Sequence, residues 1–282
     1  MMRKFLSLLL FVLMAFPFSG LAGQETEADA MELSLYAINV RKADALLLRS
    51  GNSAYLIDTG SEDSERALLK ALEKEGITHL DGVILTHTHQ DHIGGFSALM
   101  ESGIEIDRIY ASGYMKKKNV EKHPIVKALK NTNREVIFLT SGDTLPLDGG
   151  TLEVLGPREK SDTENNNSLV LLATGGGGSM LLAGDMEFPE EESLMAAGLI
   201  PHADVLKIGN HGEDDATSEA FVDAVRPSVA VISTNTADEP DTPSARIMLM
   251  LERRGIQVYQ TQETENGVLI TLRNGEIAAE SK

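Results

Sequence analysis

From residue 31 onward the hydrophobic positions fall into two rhythms. Short runs in which every residue, or every second one, is apolar mark strands buried on one or both faces. They occur at 33–40, 45–49, 54–58, 82–86, 135–139, 152–155, 169–174, 180–183, 205–208, 229–233, 257–260 and 268–272. Between them lie segments with helical spacing, at 64–75, 93–101, 120–130, 190–197, 218–225 and 244–254. In the first of these, Ala67, Leu68, Ala71 and Leu72 share a face and Gly76 supplies the stop. Asn274-Gly275 is a hairpin turn signal, and the glycines at 175–178 predict a second hairpin. A phosphate-cradling loop there would need a helix after it, and an apolar strand follows instead.

The first 22 residues break this pattern. Arg3 and Lys4 precede an apolar run from Phe5 to Phe16, then Pro17 and small residues. This reads as a secretory signal peptide cut after Gly20-Leu21-Ala22, and places the mature protein outside the cytoplasm. An uncleaved membrane anchor is the alternative, but the run is short for a span of about 20 residues. Residues 23–30 read as an acidic tether, and residues 31–282 hold no internal linker, which predicts one domain. No second apolar stretch predicts a membrane span after cleavage.

Composition narrows the chemistry. The chain has 282 residues, 42% hydrophobic and 24% charged, which is globular and neither disordered nor fibrous. A formal net charge of −18 argues against a broad basic face and a stable nucleic-acid partner. There is no cysteine, hence no disulfide, no thiolate zinc site and no cysteine nucleophile. Any metal must be held by His, Asp or Glu.

A faint duplication runs through the chain. Residues 55–60 precede a helix, a Gly-Ile pair, Asp81 and a buried strand that ends at His87. Residues 180–185 precede a helix, a Gly-Leu pair, Asp204 and a buried strand that ends before His211. Two such units would place acids and histidines on loops at the same end of two sheets, so that a cleft between the halves draws ligands from both.

The sharpest signal is the run His87, His89, Asp91 and His92, which follows the buried strand Val83-Ile84-Leu85 and precedes Gly94 and Gly95. On extended backbone, positions i and i+2 face the same way, so His87 and His89 can share a metal. Asp91 and His92, at the start of the following helix, can reach a second metal nearby. Imidazole with carboxylate suits zinc, with iron or manganese as alternatives. Gly94 and Gly95 let the helix start lie close to the cluster.

This run resembles the His-x-His-x-Asp-His hallmark of the metallo-β-lactamase superfamily. The resemblance extends to Asp58, matching a supporting loop aspartate, to Asp185, matching the bridging aspartate, and to His211, matching the last histidine. Its implied fold is an α/β (α+β) four-layer αββα sandwich. Within the superfamily the chain is similar to the metallo-hydrolase domain of ComEC-type competence proteins and to bacterial phosphorylcholine esterases. Asn165-Asn166-Asn167-Ser168 stands where lactamases carry a third histidine. Three segments depart from the ComEC-type pattern. Asn210-His211-Gly212-Glu213 replaces His-His-Gly-Ser, and Arg41-Lys42-Ala43-Asp44 replaces Gly-Gln-Gly-Asp. Residues 235–243 lack the histidine of a Gly-His-Pro segment.

The resemblance implies two zinc ions (manganese or iron as alternatives), one on His87 and His89, the other on Asp91, His92 and His211, with Asp185 bridging. A hydroxide between them would be the nucleophile, and Asp91 or Asp185 would take the displaced proton. Asn167 or Ser168 is expected to approach the first metal in place of the missing histidine, with water as the alternative, and that metal should bind more weakly. Asp58 and Asn210 are expected near the ligands, with Lys207 along a strand. Lys116-Lys117-Lys118, after a strand, is expected to be a solvated helix start, though it could meet substrate phosphates. His79, His123 and His202 are expected at the surface. The implied activity is a secreted hydrolase of phosphodiesters, in nucleic acid or in the cell wall. The alternatives are a lactam or lactone hydrolase and a non-catalytic accessory protein in DNA uptake. Oligomeric state has no sequence signal.

Overall fold

In the computed structural model of the chain, which describes residues 31–114, 125, 129–130 and 132–282, the strands gather into two sheets. The leader expected at 1–22, the tether expected at 23–30, Lys116 to Lys118, His123 and most of the helix expected at 120–130 lie outside the described residues. The first sheet takes β1 (Leu33–Ile38), β2 (Leu46–Ser50), β3 (Ser53–Ile57), β4 (His79–Leu85), β5 (Glu105–Ser112) and β6 (Val136–Leu139). The second takes β7 (Thr144–Leu147), β8 (Gly150–Gly156), β9 (Val170–Gly175), β10 (Gly178–Leu182), β11 (Val205–Lys207), β12 (Val229–Ile232) and β13 (Gln257–Gln260). The chain then returns to the first sheet with β14 (Gly267–Arg273) and β15 (Glu276–Ser281). The spatial orders are β15-β14-β1-β2-β3-β4-β5-β6 and β13-β12-β11-β10-β9-β8-β7.

Both faces of each sheet are covered, which explains why so many strands are apolar at consecutive positions. In β1, Leu33, Leu35 and Ala37 face the core between the sheets, while Tyr36 and Ile38 face outward into a second cluster. That outer cluster is closed by α1 (Glu65–Lys74), α2 (Gln90–Ile93) and α3 (Phe96–Glu101) through Leu68, Leu72, Ile93 and Phe96. The second sheet is closed likewise by α4 (Phe188–Ala196), α5 (Glu219–Val225) and α6 (Ala245–Arg253) through Leu194, Phe221, Val222 and Ile247. The result is helix, sheet, sheet, helix: the four-layer αββα arrangement. Ser218 and Ser244, where the pattern begins α5 and α6, accept hydrogen bonds from the Phe221 and Ile247 amides and so cap both helices.

Most expected elements are present, with informative shifts. Both glycine-marked hairpins form, Gly175 opposite Gly178 and Arg273 opposite Glu276. The helix expected at 93–101 is two pieces, broken at Gly94 and Gly95. A Cβ at Gly94 would lie 2.4 Å from the Glu62 amide nitrogen, and one at Gly95 2.3 Å from the Thr59 carbonyl oxygen. The glycines therefore let α2 press onto the loop that follows Asp58. Ala67 is exposed rather than part of the α1 core face. The duplication is real in three dimensions: β3-α1-β4 and β10-α4-β11 each join parallel neighbours, one unit per sheet. Among the described residues no helix is long and apolar enough to cross a membrane.

Candidate metal centre

The loops at the C-terminal ends of β3, β4, β10 and β11 meet along one edge of the two sheets, and each delivers part of one cluster. β4 ends at Leu85 and leads through His87 and His89 into α2, which carries Asp91 and His92. Asp185 follows β10, and His211 sits in a tight turn, Gly209–Gly212, after β11. Asp58, Asn210 and His211 hold left-handed backbone conformations, with φ of 59°, 44° and 53°. Non-glycine residues adopt that region at a cost, and such strain collects where side-chain aim matters.

Among the described residues three groups could hold a metal ion: one, Asp44, Asp58 and His92, lacks Asp185, and the other two overlap through it. His87, His89 and Asp185 form one, and Asp91, His92, Asp185 and His211 the other; within each, one ligand atom per residue lies within 4.8 Å of the rest. Asp185 belongs to both. Its Oδ2 lies 2.9 Å from His92 Nε2 and 3.6 Å from both His87 Nε2 and His211 Nε2. Asp91 Oδ2 is 3.3 Å from His211 Nε2. The donor set fits divalent cations: His87 Nε2, His211 Nε2 and Asp185 Oδ1 are buried without a hydrogen-bond partner. Buried polar atoms left unpaired are costly, and here they converge on shared points that a cation would satisfy.

The outer nitrogens of the rings are held so that the inner ones face the cluster. Asp58 is fully buried; it accepts from the Thr86 amide (2.8 Å), from Thr86 Oγ1 (2.7 Å) and from His92 Nδ1 (2.7 Å). Since Thr86 Oγ1 gives its proton to Asp58, His87 Nδ1 at 3.1 Å must donate to that hydroxyl, leaving His87 Nε2 a lone pair. His211 Nδ1 donates to the Ser233 carbonyl at 3.0 Å, with the same outcome.

The electrostatics of the cluster are strongly coupled. Burial lowers the pKa of His87 well below its usual value, helped by the charge of His92. Burial also works against a charged His92, but Asp185 and Asp58 outweigh it and raise its pKa well above the ordinary range. For Asp185 and Asp91 burial pushes upward, yet the surrounding imidazoles win and hold both carboxyls below the usual range. Asp58 is raised, with burial as the main cause.

The remaining expectations divide. Ser168 touches the cluster indirectly, its Oγ accepting from the Asp185 amide at 3.2 Å. Asn167 does not face the first metal pocket. Its side chain is spent on the Ser161 amide and the Ser161 and Thr163 carbonyls, which ties the turn at Asn165–Asn167 to the residues just before it. Asn210 likewise turns away, its Nδ2 bonding Asp215 Oδ1 at 3.0 Å. Asn165 and Asn166 tie this turn to Glu187, and Glu164 accepts from the Thr88 amide and hydroxyl between the two histidines of the first pocket. His79 and His202 are at the surface, with side chains 41% and 52% exposed.

Lys207 lies on a strand as expected, but its partner was not apparent from the sequence. It is fully buried, and its Nζ donates to Asp44 Oδ2 at 2.6 Å and to the Ile208 carbonyl at 3.0 Å. Asp44 in turn donates its amide to the Asp91 carbonyl and accepts the Gly60 amide. The signal available in the sequence was an aspartate and a lysine in strongly apolar surroundings; their separation of 163 positions hid the pairing.

Comparison with known proteins agrees with this geometry. The family model described as "Metallo-beta-lactamase superfamily" matches residues 38–236. The chain is 32% identical over 206 residues to ComE operon protein 3 of Bacillus subtilis, covering 73% of this chain and 26% of that protein. It is 29% identical over 220 residues to competence protein ComA of Neisseria gonorrhoeae (77% and 29%). It is 27% identical over 230 residues to recombination protein 2 of Haemophilus influenzae (79% and 27%). The chain thus spans less than a third of the length of these relatives. Among solved structures it is similar to the metallo-β-lactamase fold protein YhfI of Bacillus subtilis, with a TM-score of 0.55 at 16% identity over 86% of this chain and 99% of that one. A diphosphatase of the PhnP family gives a TM-score of 0.54 at 15% identity over 90% and 100%.

Proposed function

The chain belongs to the metallo-β-lactamase superfamily, and from that premise we propose that it is a metal-dependent hydrolase of phosphodiester bonds that works outside the cytoplasm. The observation that carries the hydrolytic reading is the pair of ligand groups sharing Asp185. The phosphodiester reading is supported by the competence and recombination proteins among its relatives, which make nucleic acid the first polymer to test. The extracytoplasmic reading rests on the leader at residues 1–22.

His87, His89 and Asp185 would hold one divalent ion, and Asp91, His92, His211 and Asp185 the other; zinc is the first choice, with manganese or iron as alternatives. Bound there, such ions would supply Lewis acidity toward a phosphoryl oxygen and make water a nucleophile at neutral pH. The chain's own groups do the rest. Asp58 and the Ser233 carbonyl fix the ring orientations of His92 and His211. Asp91, with its side chain 31% exposed, is more open to substrate than Asp185 at 3%, which favours a carboxylate oxygen of Asp91 over one of Asp185 as acceptor of the displaced proton. The negative charge of the whole protein favours a local, metal-centred grip on the substrate over an extended basic track, so turnover of a small diester should depend little on salt.

The test is metal content measured together with hydrolysis of bis(p-nitrophenyl) phosphate, on the wild type and on Asp185→Ala. Bound divalent metal and turnover in the wild type, both lost in the variant, are expected. Metal without diester turnover, accompanied by opening of a lactam or lactone, would overturn the substrate class. A folded protein that binds no metal would overturn the mechanism.

A further inference from the structure

Three cations cluster around residues 39–45, the loop between β1 and β2, and they have different fates. Lys207 is fully buried against Asp44. Arg41 is paired outward with Asp238. Lys42 extends its Nζ to within 2.6 Å of Glu213 Oε1, with side-chain exposures of 19% and 36%. Glu213 lies two positions after His211, and its amide bonds the Asn210 carbonyl at 2.8 Å. On the other side, two positions after Lys42, the Asp44 amide bonds the Asp91 carbonyl at 3.1 Å. Lys42 is therefore bracketed by segments that carry two metal-binding side chains from opposite sheets, and it is partly open to solvent.

We propose that Lys42 is the side chain that grips the anionic oxygens of the substrate's phosphoryl group at the rim of the metal centre, with Glu213 as the counter-ion that the substrate displaces. The proposal rests on the phosphodiester reading above. An ammonium carries three donors, and one carboxylate oxygen does not exhaust them. Burial disfavours the charge on Lys42, but Glu213, Asp91 and Asp185 outweigh burial and keep the group protonated. Geometrically, the ammonium is held by Glu213, two positions from His211, on the loop whose Asp44 amide bonds the Asp91 carbonyl, which sets it at the rim of the ligand cluster. Lys42 and Glu213 are also two of the departures from the ComEC-type pattern, and in three dimensions they are each other's partner.

The experiment compares Lys42→Met, Lys42→Arg and Glu213→Gln with the wild type, all metal-loaded. Two readouts are taken: orthophosphate binding by calorimetry, and KM and kcat for bis(p-nitrophenyl) phosphate. Metal stoichiometry and Tm confirm that each variant is folded and loaded. Lys42→Met should weaken orthophosphate binding about tenfold or more and raise KM in step, with kcat less affected. Lys42→Arg should restore most of the loss. Glu213→Gln should act in the opposite direction and tighten orthophosphate, because it removes the competing anion. A purely structural ion pair would make Lys42→Met and Glu213→Gln change in the same direction, and that result, or no phosphate binding by the wild type at millimolar concentration, overturns the proposal. Wild-type diester turnover with no effect of Lys42→Met rejects the proposal and leaves the phosphodiester reading standing. Lys42-dependent phosphate binding without diester turnover does the reverse.

Discussion

The two candidate metal pockets share Asp185 and differ in almost everything else. The second pocket draws four side chains from both sheets, and His92, Asp185 and His211 are buried in it. Its two histidines are held from behind by Asp58 and the Ser233 carbonyl, with the Asp44–Lys207 pair packed against the same loops. The first pocket has three side chains, of which His89 is exposed, and the side chains of Asn165–Asn167 are engaged elsewhere, with Glu187 and with the residues just before the turn. A buried, four-ligand site loses less order and less solvation on metal binding than an open, three-ligand one. The second pocket should therefore fill first, and the first pocket should keep the open coordination that a reacting group needs.

The comparison breaks most visibly at the shared residue. Asp185→Ala should empty both pockets and reduce turnover roughly a thousandfold or more, measured by metal content and diester hydrolysis. If one metal stays tightly bound, Asp185 is not common to both pockets. Next in size is the contrast between His211→Ala and His89→Ala. The first should abolish tight binding altogether. The second should leave one tight metal per chain and an activity partly recovered by excess metal, as titration calorimetry and kinetics would report; equal losses in both variants would erase the distinction between the pockets.

The support behind the second pocket can be probed with Lys207→Met, which deprives the buried Asp44 of its ammonium partner. It should cost about 3–5 kcal/mol in denaturant unfolding, and Asp44→Asn in the same chain should recover much of this. Additive losses would mean that the two residues act independently. Asp58→Asn should lower metal affinity about 10- to 100-fold through His92 with little change in fold, as metal titration and circular dichroism would show.

The smallest expected effect is that of pH. Asp185 and Asp58 raise the pKa of His92, so a proton competes with the metal for that ring. Metal affinity at the second pocket should rise with pH through that raised pKa and fall as pH drops below it, because binding releases the proton. His87 is shifted the opposite way and stays neutral, so the first pocket should respond less. Affinities measured across the neutral range would check the sign.

The sequence by itself determined most of the layout of the strands and helices, because burial on both faces of each sheet writes continuous apolar runs that can be read locally. It also determined the metal-binding run, because His87, His89, Asp91 and His92 lie next to one another and their reach follows from backbone geometry. Asp58, Asp185 and His211 were legible through resemblance and through the repeated strand-helix-strand unit. Not read from the sequence were β5, whose charged residues at 105, 107 and 108 interrupt the apolar pattern, β7, four residues that include a proline, and β15, an edge strand with little to bury. The roles of Asn167 and Asn210 were beyond local reading, since an amide's partners depend on how its own turn closes. Only the tertiary structure decided the long-range pairings, Asp44 with Lys207 and Lys42 with Glu213. Periodicity reports which face of an element is buried; it carries no information about which charge from another sheet will be packed against it.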